Sequence, residues 1–344
     1  MTRLSQRVHG TDPATHTMGA ALERYVLPKV PDWVIRQGQR VEVVPVTSLD
    51  ELGHGKGQKV FNWRRPTFVM SEEMVRCHVT PGTAYVLHYA HLVATAAMMR
   101  ARDVVVTMAP PSPEEARDFI RQTMPHVPAA DAAIVGYTER LHLGDADDHP
   151  WVMTPGWGWK LARVGRKRVL LVGCEFSFWG DVAGHVVAEL LERQVSDWVI
   201  YVGKLGTLNA GVRPNRMLAT GTESLVNAQP VQWQGRLAAN LPANDVRIIR
   251  DARHVTINSV VEETIAWFDR YAPTHDLVDP EIGHMGLAAQ EAGSSFDFLH
   301  LVTDCLATDY GIGLYDERSK RVISRRIKLM GKISEMIENC IIDS

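Results

Sequence analysis

Cysteine is scarce in this sequence. The four residues Cys77, Cys174, Cys305 and Cys340 lie far apart, and none of them forms a C-x-x-C pair. A chain of 344 residues is long enough to bury a large core without covalent cross-links. We therefore expect free thiols and a reducing, cytoplasmic setting.

Long apolar runs are missing as well. HLVATAAMM, at residues 91–99, falls well short of the roughly 20 apolar residues that a membrane span requires. The opening residues MTRLSQRVHGTDPATHTMG contain no apolar stretch of the kind found in secretory signals. The sequence thus predicts a soluble protein with no membrane partner.

The chain carries no excess of basic residues. Its formal net charge is −3 and its pI is about 6.5, with 45% hydrophobic and 22% charged residues. Binding to a phosphate backbone is therefore not expected.

Several common catalytic signatures are also absent. There is no G-x-S-x-G, no G-x-x-x-x-G-K-[ST] and no G-x-G-x-x-G, although GHGKGQK at 53–59 superficially resembles the second. Glu281 and His284 form one E-x-x-H pair, but no second such pair accompanies it. We therefore predict no metal site and no nucleotide cofactor.

Residues 1–102 differ in pattern from the rest and are interpreted as an N-terminal elaboration. A strand is predicted at 41–48, a helix beginning at Ser71, and a buried helix at 85–101. Between them lies a glycine-rich, basic loop at 53–66. Its polar and aromatic residues are either solvated or contribute to a neighbouring subunit's pocket: His54, Lys56, Trp63, Arg64 and Arg65.

Residues 103–344 alternate between strand and helix patterns. Strands are predicted at 103–109, 132–143, 167–176, 197–208, 217–226, 246–250, 276–281 and 296–304. Helices are predicted at 111–122, 181–194, 261–272, 282–293 and 317–341. Such alternation is typical of an α/β domain with a covered, partly parallel sheet.

The most informative stretch is VDPEIGHMGLAAQEAGSSFDFLHLVTD, residues 278–304. It places Asp279 and Glu281 at the end of one strand and, after a helix, Asp304 at the end of the next. Ligands of open α/β sheets bind outside the carboxyl ends of strands. We therefore expect the two strand ends to converge on one crevice.

This stretch resembles the nucleoside phosphorylase and nucleosidase superfamily, whose signature is V-E-M-E, a helix, and a hydrophobic strand ending in S-D. Val278-Asp279-Pro280-Glu281 matches the first part and Thr303-Asp304 the second, with a spacing of 23 residues from the second acid to the last. VIYVGKLGTL at 199–208 is similar to the family's strand and glycine turn. The resemblance covers roughly residues 103–341. It implies a three-layer α/β/α fold with a mixed central sheet, and a homo-oligomer.

The resemblance also implies roles for individual residues. Asp304 matches the general acid that protonates the leaving base, and Glu281 matches the residue that binds the ribose hydroxyls. Asp279 matches a weaker sugar contact, with a strand-end or helix-terminus acid as the alternative interpretation of all three. Further substrate-binding candidates, each of which could equally be a turn, surface or core residue, are Gly203, Lys204, Gly206, Phe178 and Glu263.

Phosphate binding is the point at which this chain departs from its phosphorylase relatives. Their G-D-P-x-R-A loop is compared with MAPPSPEEA at 108–116, which lacks the Asp and the Arg. Tyr201 stands where hexameric relatives have an arginine, while Lys204 and Arg140 could still meet an anion. The sequence slightly favours water over inorganic phosphate as the nucleophile. A catalytically silent nucleoside-binding relative, or an enzyme for an unusual nucleoside, remain the alternatives.

Overall fold

A computed structural model describes residues 5–37, 39–55, 59–72, 74–242, 245, 247–316 and 319–344. The chain is an α/β protein with several mixed sheets, which confirms the predicted fold class. Within the described residues, no helix has both the length and the apolar character needed to cross a membrane.

The N-terminal part is built on a five-stranded sheet with helices packed against it. Its strands are β1 Gln6–Val8, β2 Arg40–Pro45, β5 Thr67–Met70, β6 Val75–Val79 and β7 Val105–Met108, in the order β1-β7-β2-β6-β5. The short strands β3 Gly53–His54 and β4 Arg64–Arg65 pair with each other. The helices are α1 Leu22–Val26, α2 Asp32–Gln37 and α3 Thr83–Met99.

One expectation for this part needs correction. The helix predicted to begin at Ser71 is wrong, because Val75–Val79 alternates buried and exposed side chains as a strand does. Strand β7 lies between β1 and β2 in the N-terminal sheet. The helix predicted at 85–101 is confirmed as α3. The division of the chain at residue 103 stays a prediction.

The second part contains a six-stranded sheet whose inner strands are almost wholly buried. Its strands are β8 Ala132–Gly136, β9 Val152–Thr154, β10 Trp157–Val164, β11 Lys167–Cys174, β12 Trp198–Val202 and β20 Ser295–Phe298, in the order β20-β12-β8-β11-β10-β9. Strand β8 is shorter than predicted because Gly136 turns the chain with φ +98° and a 3-10 turn follows at Thr138–Arg140. The hairpin of β9 and β10 was not predicted.

An eight-stranded sheet completes this part and carries the acidic residues. Its order is β16-β15-β18-β19-β13-β21-β14-β17. The strands are β13 Lys204–Thr207, β14 Leu218–Ala219, β15 Glu223–Val226, β16 Gln229–Gln232, β17 Ile248–Ile249, β18 His254–Thr256, β19 Leu277–Asp279 and β21 His300–Cys305.

Some of the helix ends lie where the sequence has capping residues. They are α4 Pro113–Thr123, α5 Asp181–Glu192, α6 Leu237–Asn240, α7 Ile265–Tyr271, α8 Ile282–Ala292 and α9 Lys320–Asp343. Ser112 and Glu115 form a capping box at the start of α4. Gly293 ends α8 in the left-handed conformation, with φ +63°. Helices α5 and α8 pack on each other, which fixes the start of α8 relative to the sheet.

Candidate active site

Asp279, the last residue of β19, has a buried carboxylate that several neighbouring groups contact. Its Oδ1 accepts the backbone N–H groups of Glu281 and Ile282 at 2.9 Å each. His254 Nε2 lies 3.2 Å from the same oxygen, and His300 Nε2 lies 3.8 Å from Oδ2. Burial alone would raise the pKa of Asp279, but the His254 hydrogen bond, both imidazoles and the Ile282 amide together lower it.

A chain of polar contacts holds His254 in place. Its Nδ1 lies 2.8 Å from Ser224 Oγ, which lies 2.9 Å from Thr256 Oγ1. Thr256 in turn accepts the N–H of Gly283, in the first turn of α8, at 3.1 Å. Two strands, β15 and β18, and the helix α8 therefore support the position of a single carboxylate.

Glu281 is the N-cap residue of α8 and is only 7% exposed. Burial and the neighbouring charge of Asp279 raise the pKa of Glu281 well above its usual value. The charge of Lys204 and a hydrogen bond with Tyr201 act in the opposite direction. Burial and Asp279 therefore favour the protonated form of Glu281, while Lys204 and Tyr201 favour its ionised form.

Tyr201 interacts with Glu281 and with two neighbouring rings, those of His300 and Phe178. Its ring centroid lies 4.4 Å from that of His300, edge-on, and 5.8 Å from that of Phe178. Gly203 must remain small here, because a Cβ at that position would lie 2.7 Å from His300 Nε2 and 3.0 Å from the Tyr201 ring. Burial lowers the pKa of His300 to about 4, so this imidazole is neutral near pH 7.

Asp304 is buried in a second group of residues on the same sheet. Thr303 Oγ1 donates to its Oδ1 at 2.9 Å. A Cβ on Gly206 would lie 2.8 Å from Asp304 Oδ2 and 3.1 Å from Val278 Cγ1. Glycine at 206 is therefore what allows the carboxyl group of Asp304 to rest against β13.

Glu263 belongs to the group around Asp304. It follows the 3-10 turn Val260–Glu262 and is 4% exposed. Burial, and after it the charge of Asp304, raise the pKa of Glu263 well above its usual value. Its Oε2 is buried and has no hydrogen-bond partner among the residues that the structure describes.

Strand β13 connects the two acidic groups. β19 and β21 lie on opposite sides of β13, one antiparallel and the other parallel to it, and Val278 and Asp304 are both in register with Gly206. Asp304 and Val278 face the same side of Gly206, and Asp279 points to the other face. Lys204, near Glu281, and Gly206, against Asp304, are about 7 Å apart along the strand.

The two candidates for anion binding, Arg140 and Lys204, have different surroundings. Arg140 is exposed, and among the described interactions its charge acts on Glu139 rather than on the acids of β19 and β21. Residues 105–108 belong to the N-terminal sheet, so the segment that follows the first strand of the six-stranded sheet is 137–140 and not 108–116. Lys204 remains beside Glu281.

Residues of the basic loop at 53–66 make structural contacts within the protein. Arg64 Nε forms a 3.0 Å ion pair with Glu175, and its Nη1 donates to the carbonyl of Leu49. His54 stacks on Trp63 with ring centroids 4.6 Å apart. Lys56 lies outside the described residues.

His284 does not form a metal centre in the described part of the chain. No group of three or more histidine, cysteine, aspartate or glutamate side chains there is arranged to hold a metal ion. Gly184 of α5 packs against the His284 carbonyl, where a Cβ would lie only 2.8 Å from the oxygen. His284 thus takes part in the contact between α5 and α8.

Three contributors to the site were missed from the sequence: His254, His300 and the hydroxyl of Tyr201. His254 and His300 each lie in a short run of buried strand residues. The sequence therefore shows each of them only as an isolated polar residue. Their shared contact with Asp279 joins three strands that are distant in sequence. Tyr201 was considered only as a missing arginine.

The fold resembles solved nucleoside-cleaving enzymes. A uridine phosphorylase from Vibrio fischeri ES114 superposes with a TM-score of 0.50 at 9% identity, covering 62% of this chain and 91% of that one. A methylthioadenosine/S-adenosylhomocysteine nucleosidase from Campylobacter jejuni gives 0.48 at 14% identity, over 61% and 99%. Futalosine hydrolase of Helicobacter pylori gives 0.47 at 10%, over 64% and 100%. The match to the uridine phosphorylase shows that the chain shares its fold.

No protein-family model matches the chain. Among curated proteins, the oxidoreductase cns1 of Cordyceps militaris is 24% identical over 347 aligned positions, which span 86% of this chain. The match covers only 44% of that relative's length. Its named activity therefore belongs to a considerably longer protein.

Proposed function

We propose that this chain cleaves the N-glycosidic bond of a nucleoside or nucleoside-like metabolite. The observation that carries the proposal is the buried carboxyl group of Asp304, fitted against Gly206 and oriented by the Thr303 hydroxyl. The fold is one in which solved members are named as nucleosidases and phosphorylases. Asp304, the glycine turn that contains Gly206, and the spacing from Glu281 to Asp304 all resemble the signature of the superfamily.

The two acidic groups suit the two charges that develop as the bond breaks. The departing base gains negative charge, which a proton from Asp304 neutralises. The sugar gains positive charge, and its hydroxyls are oriented by Glu281. Burial and Asp279 raise the pKa of Glu281, and hydroxyl donors from ribose would add to Lys204 and Tyr201 in favouring its carboxylate.

Replacing Glu281 with glutamine tests the sugar contact. Glu281→Gln keeps the shape but removes the charged acceptor, so kcat/KM for a ribonucleoside should fall about 10- to 100-fold. The matching 2′-deoxynucleoside should lose less, because it has one hydroxyl fewer to offer. The exposed Glu291→Gln, near the end of the same helix, is the control. An equal loss for both substrates would show that Glu281 acts only on the structure.

The nucleophile is proposed to be water, giving free base and free sugar. A phosphorylase must hold a dianion with several N–H donors and fixed positive charge. Arg140 is exposed, and Lys204 lies beside Glu281. Cleavage should proceed in phosphate-free buffer and show no saturation when inorganic phosphate is titrated. Strict phosphate dependence that is abolished in Lys204→Ala but kept in Arg140→Ala would instead make Lys204 the anchor of a phosphate site.

A silent, nucleoside-binding protein is the second candidate, favoured by the departure from the phosphate loop of phosphorylases. A panel of purine and pyrimidine nucleosides, assayed for binding by calorimetry and for base release by chromatography, separates the two functions. Tight binding without base release would support the silent protein. Base release from a modified nucleoside alone would point to specialised metabolism. A cytoplasmic homo-oligomer remains part of the proposal.

A further inference from the structure

Glu281 occupies the N-cap position of α8, but its side chain makes no capping hydrogen bond there. An N-cap side chain usually accepts one of the first N–H groups of its helix, which engages the side-chain oxygen. Here Asp279 Oδ1 accepts the N–H groups of Glu281 and Ile282 at 2.9 Å each. Thr256 Oγ1 accepts the N–H of Gly283 at 3.1 Å. The start of α8 is therefore capped by its neighbours, and the Glu281 carboxyl group is not required for that purpose.

Asp279 and Thr256, the two capping side chains, are joined to each other through a serine and a histidine. Ser224 Oγ lies 2.9 Å from Thr256 Oγ1 and 2.8 Å from His254 Nδ1. On the other side of the imidazole, His254 Nε2 lies 3.2 Å from Asp279 Oδ1. Together with the first turn of α8, these four side chains form a closed ring of polar contacts, in which Ser224, His254 and Asp279 are buried.

One placement of the hydrogens is consistent with every contact of this polar ring. Because Thr256 Oγ1 already accepts an N–H group, its own hydroxyl hydrogen can be donated to Ser224. The Ser224 hydroxyl then donates to His254 Nδ1, which leaves the imidazole proton on Nε2, on the side of Asp279 Oδ1. His254 thus presents a donor to the same oxygen that holds the start of α8.

His254 differs from the other groups at Asp279 Oδ1 in where it comes from. The two backbone N–H groups belong to the segment that Asp279 holds, so they move with the start of α8 and cannot fix the carboxylate against the sheet. His254 belongs to β18, which pairs with β19 along a register that ends at Asp279. Asp279 Oδ2 lies 3.8 Å from His300 Nε2, beyond the length of a hydrogen bond. His254 therefore supplies a link between the carboxylate and the neighbouring strand.

We propose that His254 is a positioning residue that, through Asp279, holds the start of α8 where the Glu281 carboxyl group can receive the hydroxyls of a ribose. His254 is 1% exposed, so it acts through its neighbours rather than on the substrate. A displacement of about 1 Å in a group that orients a substrate can lower the rate roughly 100-fold, so a small shift of this turn is enough to weaken the sugar contact. This inference rests on the proposed function for the sugar contact, while the restraint on α8 stands without it.

Amide hydrogen exchange, measured by NMR on the full chain, tests the restraint without any substrate. His254→Asn shortens the side chain and removes the nitrogen that faces Asp279, whereas the longer His254→Gln can place an amide N–H near the position of Nε2. In His254→Asn the N–H groups of Glu281 and Ile282 should exchange about tenfold faster. The N–H of Ala289, further along α8, should keep its rate. In His254→Gln all of these rates should stay within about threefold of wild type.

A milder variant keeps the test decisive if His254→Asn does not fold. Ser224→Ala removes the hydroxyl that contacts His254 Nδ1 and leaves the imidazole in place, so it should accelerate the same two N–H groups about threefold. The exposed His126→Asn is the control and should change no rate at the start of α8. Unchanged exchange at Glu281 and Ile282 in the folded variants, or an equal acceleration that extends to Ala289, overturns the proposal.

Discrimination between sugars then tests the use of the restraint. In His254→Asn, kcat/KM for a ribonucleoside should fall about tenfold, while that for the matching 2′-deoxynucleoside stays within about threefold. His254→Gln should recover most of the loss. In a Glu281→Gln background, His254→Asn should cost less than about threefold, because the contact that it positions is already gone.

A tenfold loss for both sugars, or in both backgrounds, would show a general structural role for His254 and overturn the proposal. If the wild-type chain cleaves no nucleoside, the proposed function fails. The exchange rates of Glu281 and Ile282 still decide in that case whether His254 restrains the start of α8.

Discussion

Asp304→Asn should lower the rate of base release by roughly 10²–10⁴-fold while leaving nucleoside affinity within a few-fold. Asparagine keeps the shape of the side chain and can still accept the Thr303 hydroxyl, which now reaches Asp304 Oδ1 at 2.9 Å. It cannot supply a titrating proton to the leaving base. Single-turnover kinetics together with equilibrium binding would separate the chemical step from the affinity.

The exposed Asp269→Asn on α7 is a suitable control, because it removes one carboxylate of the same kind from the surface. It should leave the rate unchanged. Near-normal turnover of Asp304→Asn on the native substrate would remove Asp304 from its proposed role as the general acid. A loss of affinity with an unchanged chemical step would make it a binding residue.

Gly206→Ala should lower activity about 100-fold or more, although it replaces no reactive group. The added Cβ would lie 2.8 Å from Asp304 Oδ2 and 3.0 Å from Leu306 Cδ1, so the carboxyl group has to move. Displacement of a catalytic group by about 1 Å can cost roughly 100-fold in rate. Steady-state kinetics on the folded variant, checked by circular dichroism, would measure the effect.

Gly331→Ala supplies the matched control for this change. Gly331 lies in α9, where an added Cβ meets nothing within 4 Å. Alanine there should leave activity unchanged and raise stability by about 0.5–1 kcal/mol, since glycine is unfavourable inside a helix. Full activity of Gly206→Ala would show that Asp304 tolerates displacement and is not held in a catalytic position.

Much of the fold could be predicted because periodicity and caps are local. Ser112 with Glu115 and the terminal Gly293 define the ends of two helices from a few residues each. The N-terminal part was harder. Val75–Val79 alternates buried and exposed residues over only five positions. Ser71 and the acidic residues that follow it resemble the start of a helix. Which sheet a strand such as β7 joins depends on residues far away in sequence.

The candidate site, like the fold, could be predicted only in part. The spacing of Asp279, Glu281 and Asp304 singled out the acids, and the structure places each of them in the eight-stranded sheet or directly after one of its strands. Their relative orientation did not follow, because it depends on the antiparallel pairing of β13 with β19 and on the irregularity between Leu205 and Gly206. Long-range pairing of this kind leaves no periodic trace in either segment.

Strand β7 has a consequence for how the molecule could be divided. In the N-terminal sheet it lies between β1 and β2 and pairs with both. A fragment that ended at residue 102 would lose an inner strand and leave β1 detached, with an open row of backbone donors and acceptors along β2. Unpaired edges of this kind recruit other chains. The N-terminal part can therefore be exchanged between proteins, or removed from this one, only together with residues 105–108.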